Sequence, residues 1–200
     1  MGGASRWYSL IVFLLIAVAV SACHENNRPH ALKIGLAEEP RTLNVWLASD
    51  ANSRKVLSLI YQPLYVYDPD TLDLVPWLAE SMPVYDAQTL SYTVTLREAR
   101  WSDDTPFTSR DVAFTGNLIR SFKVPRYASN WRFIDRIETP NSRTVTFYLK
   151  KPMAAFLSGT LSTPFVQEKE WAVFAEKAKT TEKPLATLIN HRVQDPVGTG

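Results

Sequence analysis

Apolar and polar residues alternate with the period of a half-buried strand over residues 32–37, 90–97 and 143–150. In the second of these, Leu90, Tyr92, Val94 and Leu96 share one face; the third is closed by Pro152. Tyr65-Val66-Tyr67 forms a shorter strand candidate, Asp68-Pro69-Asp70 a turn after it, and residues 74–81 a short apolar stretch. Helical spacing begins at Asn52 or Ser53, where Val56, Leu57, Leu59, Ile60 and Leu64 make an apolar face. Ser53 is placed to cap that helix, and Pro63 to end or kink it. A second helix opens after Thr108 and runs to about Phe122. Asp111 lies three residues on, where it completes a capping box and meets the positive end of the helix dipole. Residues 153–157 and 168–179 read as further helices, residues 38–44 and 101–106 as turns. Strands and helices intermingle without a regular βαβ rhythm, which predicts a mixed α+β (broadly α/β) fold.

The first residues follow a different rule. Arg6 precedes an unbroken apolar run from Leu10 to Val20, then Ser21, Ala22 and Cys23. A basic start, an apolar stretch of this length and small residues make a secretory signal. The run is shorter than the roughly 20 residues a membrane-spanning helix needs. Val20-Ser21-Ala22-Cys23 resembles the lipobox of bacterial lipoproteins, which implies lipid on Cys23 and a domain outside the cytoplasm. His24-Glu25-Asn26-Asn27-Arg28-Pro29-His30 reads as a polar tether.

Composition removes several functions. The 22 Lys and Arg against 20 Asp and Glu give a net charge of +2 with no basic stripe, so nucleic acid is not an expected partner. Cys23 stands alone, which excludes an internal disulfide and a cysteine zinc cluster. Asp103-Asp104 lacks a third ligand and reads as a turn; no metal site and no cofactor are expected. Trp77, Trp101 and Trp131 read as packing residues, and His191 as structural. An exported hydrolase would need a nucleophile or metal constellation, and His24, His30 and His191 offer none.

Three stretches in order carry a stronger signal: Leu78-Ala79-Glu80-Ser81, then Tyr92-Thr93-Val94-Thr95-Leu96-Arg97, then Trp101-Ser102-Asp103-Asp104-Thr105-Pro106-Phe107-Thr108-Ser109-Arg110-Asp111-Val112. They resemble linked motifs of the peptide- and nickel-binding extracellular solute-binding proteins, family 5, of ABC importers. Glu39-Pro40-Arg41-Thr42-Leu43-Asn44 and Asp195-Pro196-Val197-Gly198-Thr199-Gly200 resemble two more, so the likeness runs from about residue 32 to 200. Three positions depart from the pattern. Asp104 replaces a Gly at a left-handed turn position that Asp tolerates better than most residues. Met82 replaces an aromatic residue, and Asn44-Val45 replaces Asp-Pro.

The resemblance implies a periplasmic-binding-protein-like fold of two lobes around a cleft. By that analogy residues 1–22 are a lipoprotein signal peptide and 23–30 the lipidated tether. Residues 31–63 are the first segment of lobe I, 64–190 an accessory domain on that lobe, and 191–200 a return into lobe I. The second lobe would be missing, so the chain is expected to be a fragment. The implied function is non-enzymatic: capture of a small solute, foremost a peptide, by cleft closure and its delivery to a membrane permease driven by a cytoplasmic ATPase. A nickel or other solute, or a fragment that binds nothing, are the alternatives. The resemblance sets Ser49, Asp50 and Ala51 along the ligand, counting on from Leu43-Asn44. Arg126-Tyr127-Ala128-Ser129 resembles a segment whose Tyr faces the ligand, and Tyr127 could stack on or hydrogen-bond a solute. The residues that hold the peptide ends are expected from later segments.

Overall fold

The computed structural model describes residues 33–200. The apolar leader, Cys23 and the polar tether lie outside the described residues. The chain divides into two units, residues 1–36 and 37–200. Within the first, residues 33–36 carry no regular secondary structure, against the strand expected over 32–37. Alternation marks a face, but a strand forms only where another strand meets its N–H and C=O groups.

In the second unit, helix α1 spans Ala51–Ile60. Its N-cap is Asp50, whose Oδ1 accepts from Ser53 N at 2.8 Å. The expected cap, Ser53, lies inside the helix, where its hydroxyl accepts from Thr42 N at 3.2 Å. The helix ends at Ile60, before Pro63. Leu57 is buried on its inner face while Leu59 stays exposed, so the apolar face is narrower than the spacing suggests.

Strands β1 (Tyr65–Tyr67) and β2 (Leu74–Pro76) form a two-stranded ladder. A second sheet has the order β3-β4-β6-β5, antiparallel throughout. Its strands are Val84–Asp86 (β3), Ser91–Thr95 (β4), Ile134–Asn141 (β5) and Thr144–Leu149 (β6). The central strands β4 and β6 are the two read from alternation; Val94, Val145, Phe147 and Leu149 turn into the core. The edge strand β5 shows no such alternation. Its outward groups are laced instead by Arg136–Glu138 at 2.8 Å and by Tyr148, which donates to Glu138 at 3.1 Å.

Helix α2 (Ser109–Phe122) begins as expected at Thr108. Asp111 Oδ2 accepts from Thr108 N at 2.8 Å, and its Oδ1 accepts from Glu168 N at 2.9 Å. One buried carboxylate therefore caps α2 and anchors the first residue of α4 (Glu168–Lys179). Helix α3 (Pro125–Trp131) follows directly and carries Trp131 into the core against Phe147 and Phe165. The helix expected at 153–157 is displaced to a wide π-helical turn at Phe156–Thr160, where buried Phe156 stacks on Tyr92 at 4.5 Å. Helix α5 (Pro184–Ile189) precedes a closing segment that runs beside the end of α1. There Thr199 N donates to Ile60 O at 2.9 Å, and Ser102 N to Gly198 O at 2.8 Å. A Cβ on Gly198 would lie 2.1 Å from Ile60 O, so only glycine lets the two backbones approach this closely. Asp104 has φ of 63°, the left-handed turn conformation expected there.

Candidate ligand-binding site

The loop before α1 is held from behind by Asn44. Its Nδ2 donates to the carbonyls of Leu188 (3.0 Å), Ile189 (3.2 Å) and His191 (3.0 Å), and its Oδ1 accepts from Trp46 N at 2.9 Å. Asn44 is fully buried, and only an amide can donate and accept in this way. The departure from Asp at this position thus has a structural reason.

With the loop fixed, buried Trp46 meets Tyr127 of α3 edge to face, 5.9 Å between ring centroids. Arg126 Nη1 donates to Ala48 O at 3.3 Å, and its guanidinium lies 5.7 Å from the Tyr127 ring. Burial pushes the Tyr127 phenol up, and neighbouring Arg126 offsets part of that. The two segments singled out in the sequence therefore meet.

Where they meet, a pocket of about 550 Å³ opens. Val45, Ala48, Leu57, Val66, Trp77 and Tyr127 supply its apolar wall, and Arg54, Ser58, Gln62, Arg126 and Ser162 its polar groups. This combination of apolar wall and few polar groups suits a small-molecule site, as does the size. Of the four expected ligand residues, Tyr127 lines the pocket. Ser49 is exposed beside it, Asp50 is engaged as the α1 cap, and Ala51 is an exposed first helical residue; none of these three lines it. The hydrogen bond from Ser53 N holds the Asp50 carboxyl below the usual carboxylate range.

Arg54, Gln62 and Trp77 were not read from the sequence as site residues. Trp77, expected as a packing residue of the core or of a lobe, is 44% exposed on the pocket wall. It follows β2 directly; with the Gln62 amide turned so that its oxygen faces the indole, Trp77 Nε1 donates to that oxygen at 3.1 Å and the amide nitrogen donates to Thr199. The other two tryptophans behave as expected: Trp101 and Trp131 are buried. His191 stacks on Phe174 at 3.8 Å, a packing position.

Tyr61 OH, Trp46 Nε1, Trp171 Nε1 and Glu170 Oε2 are buried without a hydrogen-bond partner among the described residues, and of these Tyr61 lines the pocket. Burial pushes the Tyr61 phenol up, and the nearby Glu170 charge adds to it. Burial likewise raises the Glu170 carboxyl to about 7. Asp103, by contrast, is a turn residue held below the usual range by the Lys169 ammonium at 2.8 Å. No group of three potential metal ligands occurs among the described residues.

Residues 73–200 match the model of the bacterial extracellular solute-binding proteins, family 5 (middle region). The chain belongs to this family. Among its relatives is a Brucella ovis protein named as an ABC transporter peptide-binding protein, 38% identical over 98 residues, or 48% of this chain and 18% of the relative. Among solved structures, the binding protein AgaA of A. tumefaciens R10 with agropinic acid superposes with a TM-score of 0.67 at 27% identity, covering 81% of this chain and 30% of AgaA. NikZ of Campylobacter jejuni with Ni(L-His) gives 0.64 at 25% identity, covering 82% of this chain and 30% of NikZ. The chain thus spans between about a fifth and a third of the length of these proteins. They carry the mixed α/β, two-lobed architecture of periplasmic binding proteins, of which part is present here. Among the described residues, no helix is long and apolar enough to cross a membrane.

Proposed function

We propose that this chain is part of the extracytoplasmic solute-binding subunit of an ABC importer and contributes one wall of a peptide-binding cleft. The observation that carries the reading is the pocket beside Tyr127, formed where α3 meets the loop before α1, in a chain of family 5. Backbone groups of Ser49 and Ala51 and the Tyr127 ring would lie along the peptide. The cleft would close over it by a hinge between lobes, and the loaded protein would dock on its permease. Residues 31–63 and 191–200 would belong to lobe I and residues 64–190 to its accessory domain. The leader would be cleaved before Cys23, and lipid on that cysteine would keep the protein at the outer face of a bacterial membrane.

A second reading, with a metal chelate or another small acid as cargo, is supported by the likeness to NikZ and AgaA, solved with Ni(L-His) and agropinic acid. Thermal melting of the soluble protein from His24 onward, with peptides of two to six residues and with nickel chelates, separates the two. A ligand at 100 times its Kd adds about 2.7 kcal/mol to stability, a readily measured shift. A shift with peptides that Tyr127→Ala diminishes supports the first reading. A shift with chelates alone replaces it by the second.

A further inference from the structure

We propose that a basic surface around Phe133, built from Arg120, Lys123, Arg132, Lys150 and Lys151, holds this domain against the anionic lipid headgroups of the membrane that carries it. That the protein sits at a membrane belongs to the reading above, on which this proposal rests.

Charge is unevenly placed along the chain. Between Asp111 and Glu168 stand eight Lys and Arg and two acids, Asp135 and Glu138; the rest of the chain carries 14 Lys and Arg against 18 Asp and Glu. A protein with a net charge of only +2 thus concentrates its positive charge in one stretch. Within that stretch Arg136 answers both acids, at 3.7 Å from Asp135 and 2.8 Å from Glu138, and Arg143 meets Glu80 and Glu98. Arg126 lines the pocket. The other five basic residues come together on a different surface.

The fold gathers them around residues 133–135. The Arg132 guanidinium lies 4.5 Å and the Lys151 ammonium 4.4 Å from the centre of the half-buried Phe133 ring, so one ring keeps two cations together. Lys150 N donates to Phe133 O at 2.9 Å. Arg120 Nη2 donates to the Asp135 carbonyl at 3.0 Å, and Lys123 follows Arg120 at the end of α2. Lys123, Arg132, Lys150 and Lys151 are exposed. Cations drawn from the end of α2, the start of β5 and the end of β6 make a broad surface, which suits an extended anionic face better than a small anion. Lys and Arg beside an aromatic ring are also the make-up of a membrane-interface contact. Lys33 lies ten residues after Cys23, a stretch that spans at most about 35 Å. Lipid on Cys23 would therefore keep the domain near the headgroups, and its charge would choose the face it presents.

Flotation of the protein from His24 onward with phosphatidylcholine vesicles, with and without phosphatidylglycerol, tests the assignment. This form lacks the apolar leader and keeps every described residue. Binding is expected with the anionic vesicles alone, and should fade in high salt as screening shortens the reach of charge. Lys150→Gln together with Lys151→Gln should weaken it about fivefold per charge removed. Lys177→Gln together with Lys183→Gln, an equal loss of charge at exposed positions elsewhere, should leave it unchanged. If both pairs weaken binding alike, the attraction is diffuse and the surface is overturned. Equal binding to both kinds of vesicle, or to neither, overturns it too. Binding to polyglutamate but not to anionic vesicles, lost with Lys150 and Lys151, assigns the surface to an acidic protein and overturns the membrane as its partner. The vesicle result is independent of the anchor, which the mass of the N-terminal peptide of the cell-made protein reports: lipid on Cys23 without vesicle binding leaves the anchor standing and the surface overturned, and vesicle binding with an unmodified Cys23 does the reverse.

Discussion

Asn44 reaches Leu188 across 144 residues of sequence, its Nδ2 donating to the Leu188 carbonyl at 3.0 Å. The same nitrogen serves Ile189 and His191, so one buried amide ties the loop beside the pocket to the end of α5. Asn44→Asp would set a carboxylate oxygen against three carbonyls and remove every donor. Leaving buried polar groups unsatisfied costs about 1–3 kcal/mol, more with a charge present. The variant is therefore expected to lose about 3 kcal/mol in urea unfolding, with ligand affinity reduced because Trp46 no longer backs Tyr127. A loss below 0.5 kcal/mol, an estimate set by ordinary surface changes, would contradict this role.

Gly116 sits in the interior of α2, where alanine normally stabilises by about 1 kcal/mol. Here an added Cβ would lie 2.3 Å from Trp131 Cζ3 and 2.7 Å from Ile137 Cδ1. Trp131 is fully buried and has no room to retreat. Overpacking of this kind costs about 1–3 kcal/mol and outweighs the propensity gain. Gly116→Ala should lower Tm; a raised Tm would mean the indole moves freely.

Asp111 caps α2 and receives the Glu168 amide as well. Asp111→Ala should cost about 2–3 kcal/mol, more than the roughly 1 kcal/mol of an ordinary cap, because two segments lose an acceptor. Amide hydrogen exchange discriminates: protection should fall at the starts of both α2 and α4. Loss confined to α2 would leave the link to α4 without energetic weight.

Glu170 titrates in the folded protein at about 7, against 4.5 for a free glutamate, because burial disfavours its charge. The folded state thus holds a proton that the unfolded state releases between these values. The associated stability is fully present below about pH 4.5 and is lost as pH rises through about 7. His191 acts the other way, since burial lowers its affinity for a proton. The difference between wild type and Glu170→Gln isolates the carboxyl. The variant should gain Tm relative to wild type at pH 8 and gain little at pH 4.5. An equal difference at both pH values would assign the effect to packing rather than protonation.

Local signals carried much of the fold. The Thr108–Asp111 pair marked the start of α2, and alternation marked β4 and β6, because the chemistry that decides these lies within a few residues. Strand β5 escaped since its exposed edge lets Asp135, Arg136 and Glu138 interrupt the pattern, and β3 is only three residues long. The cap of α1 went to Asp50 because Ser53 is used by Thr42, a partner eleven residues away. At the site, Tyr127 was legible through resemblance. Arg54 and Trp77 were not, because what places them at the pocket is the meeting of α1 with the end of β2. Both depend on how distant segments meet.

Trp77 gives the pocket a spectroscopic address. Of the five tryptophans among the described residues, Trp46, Trp101, Trp131 and Trp171 are buried, and Trp77 alone is substantially open to solvent. Its indole emits from a wet environment and the other four from dry ones. Any occupant that seats against that wall displaces water from this fluorophore, so filling of this corner of the protein is written in the red edge of its emission.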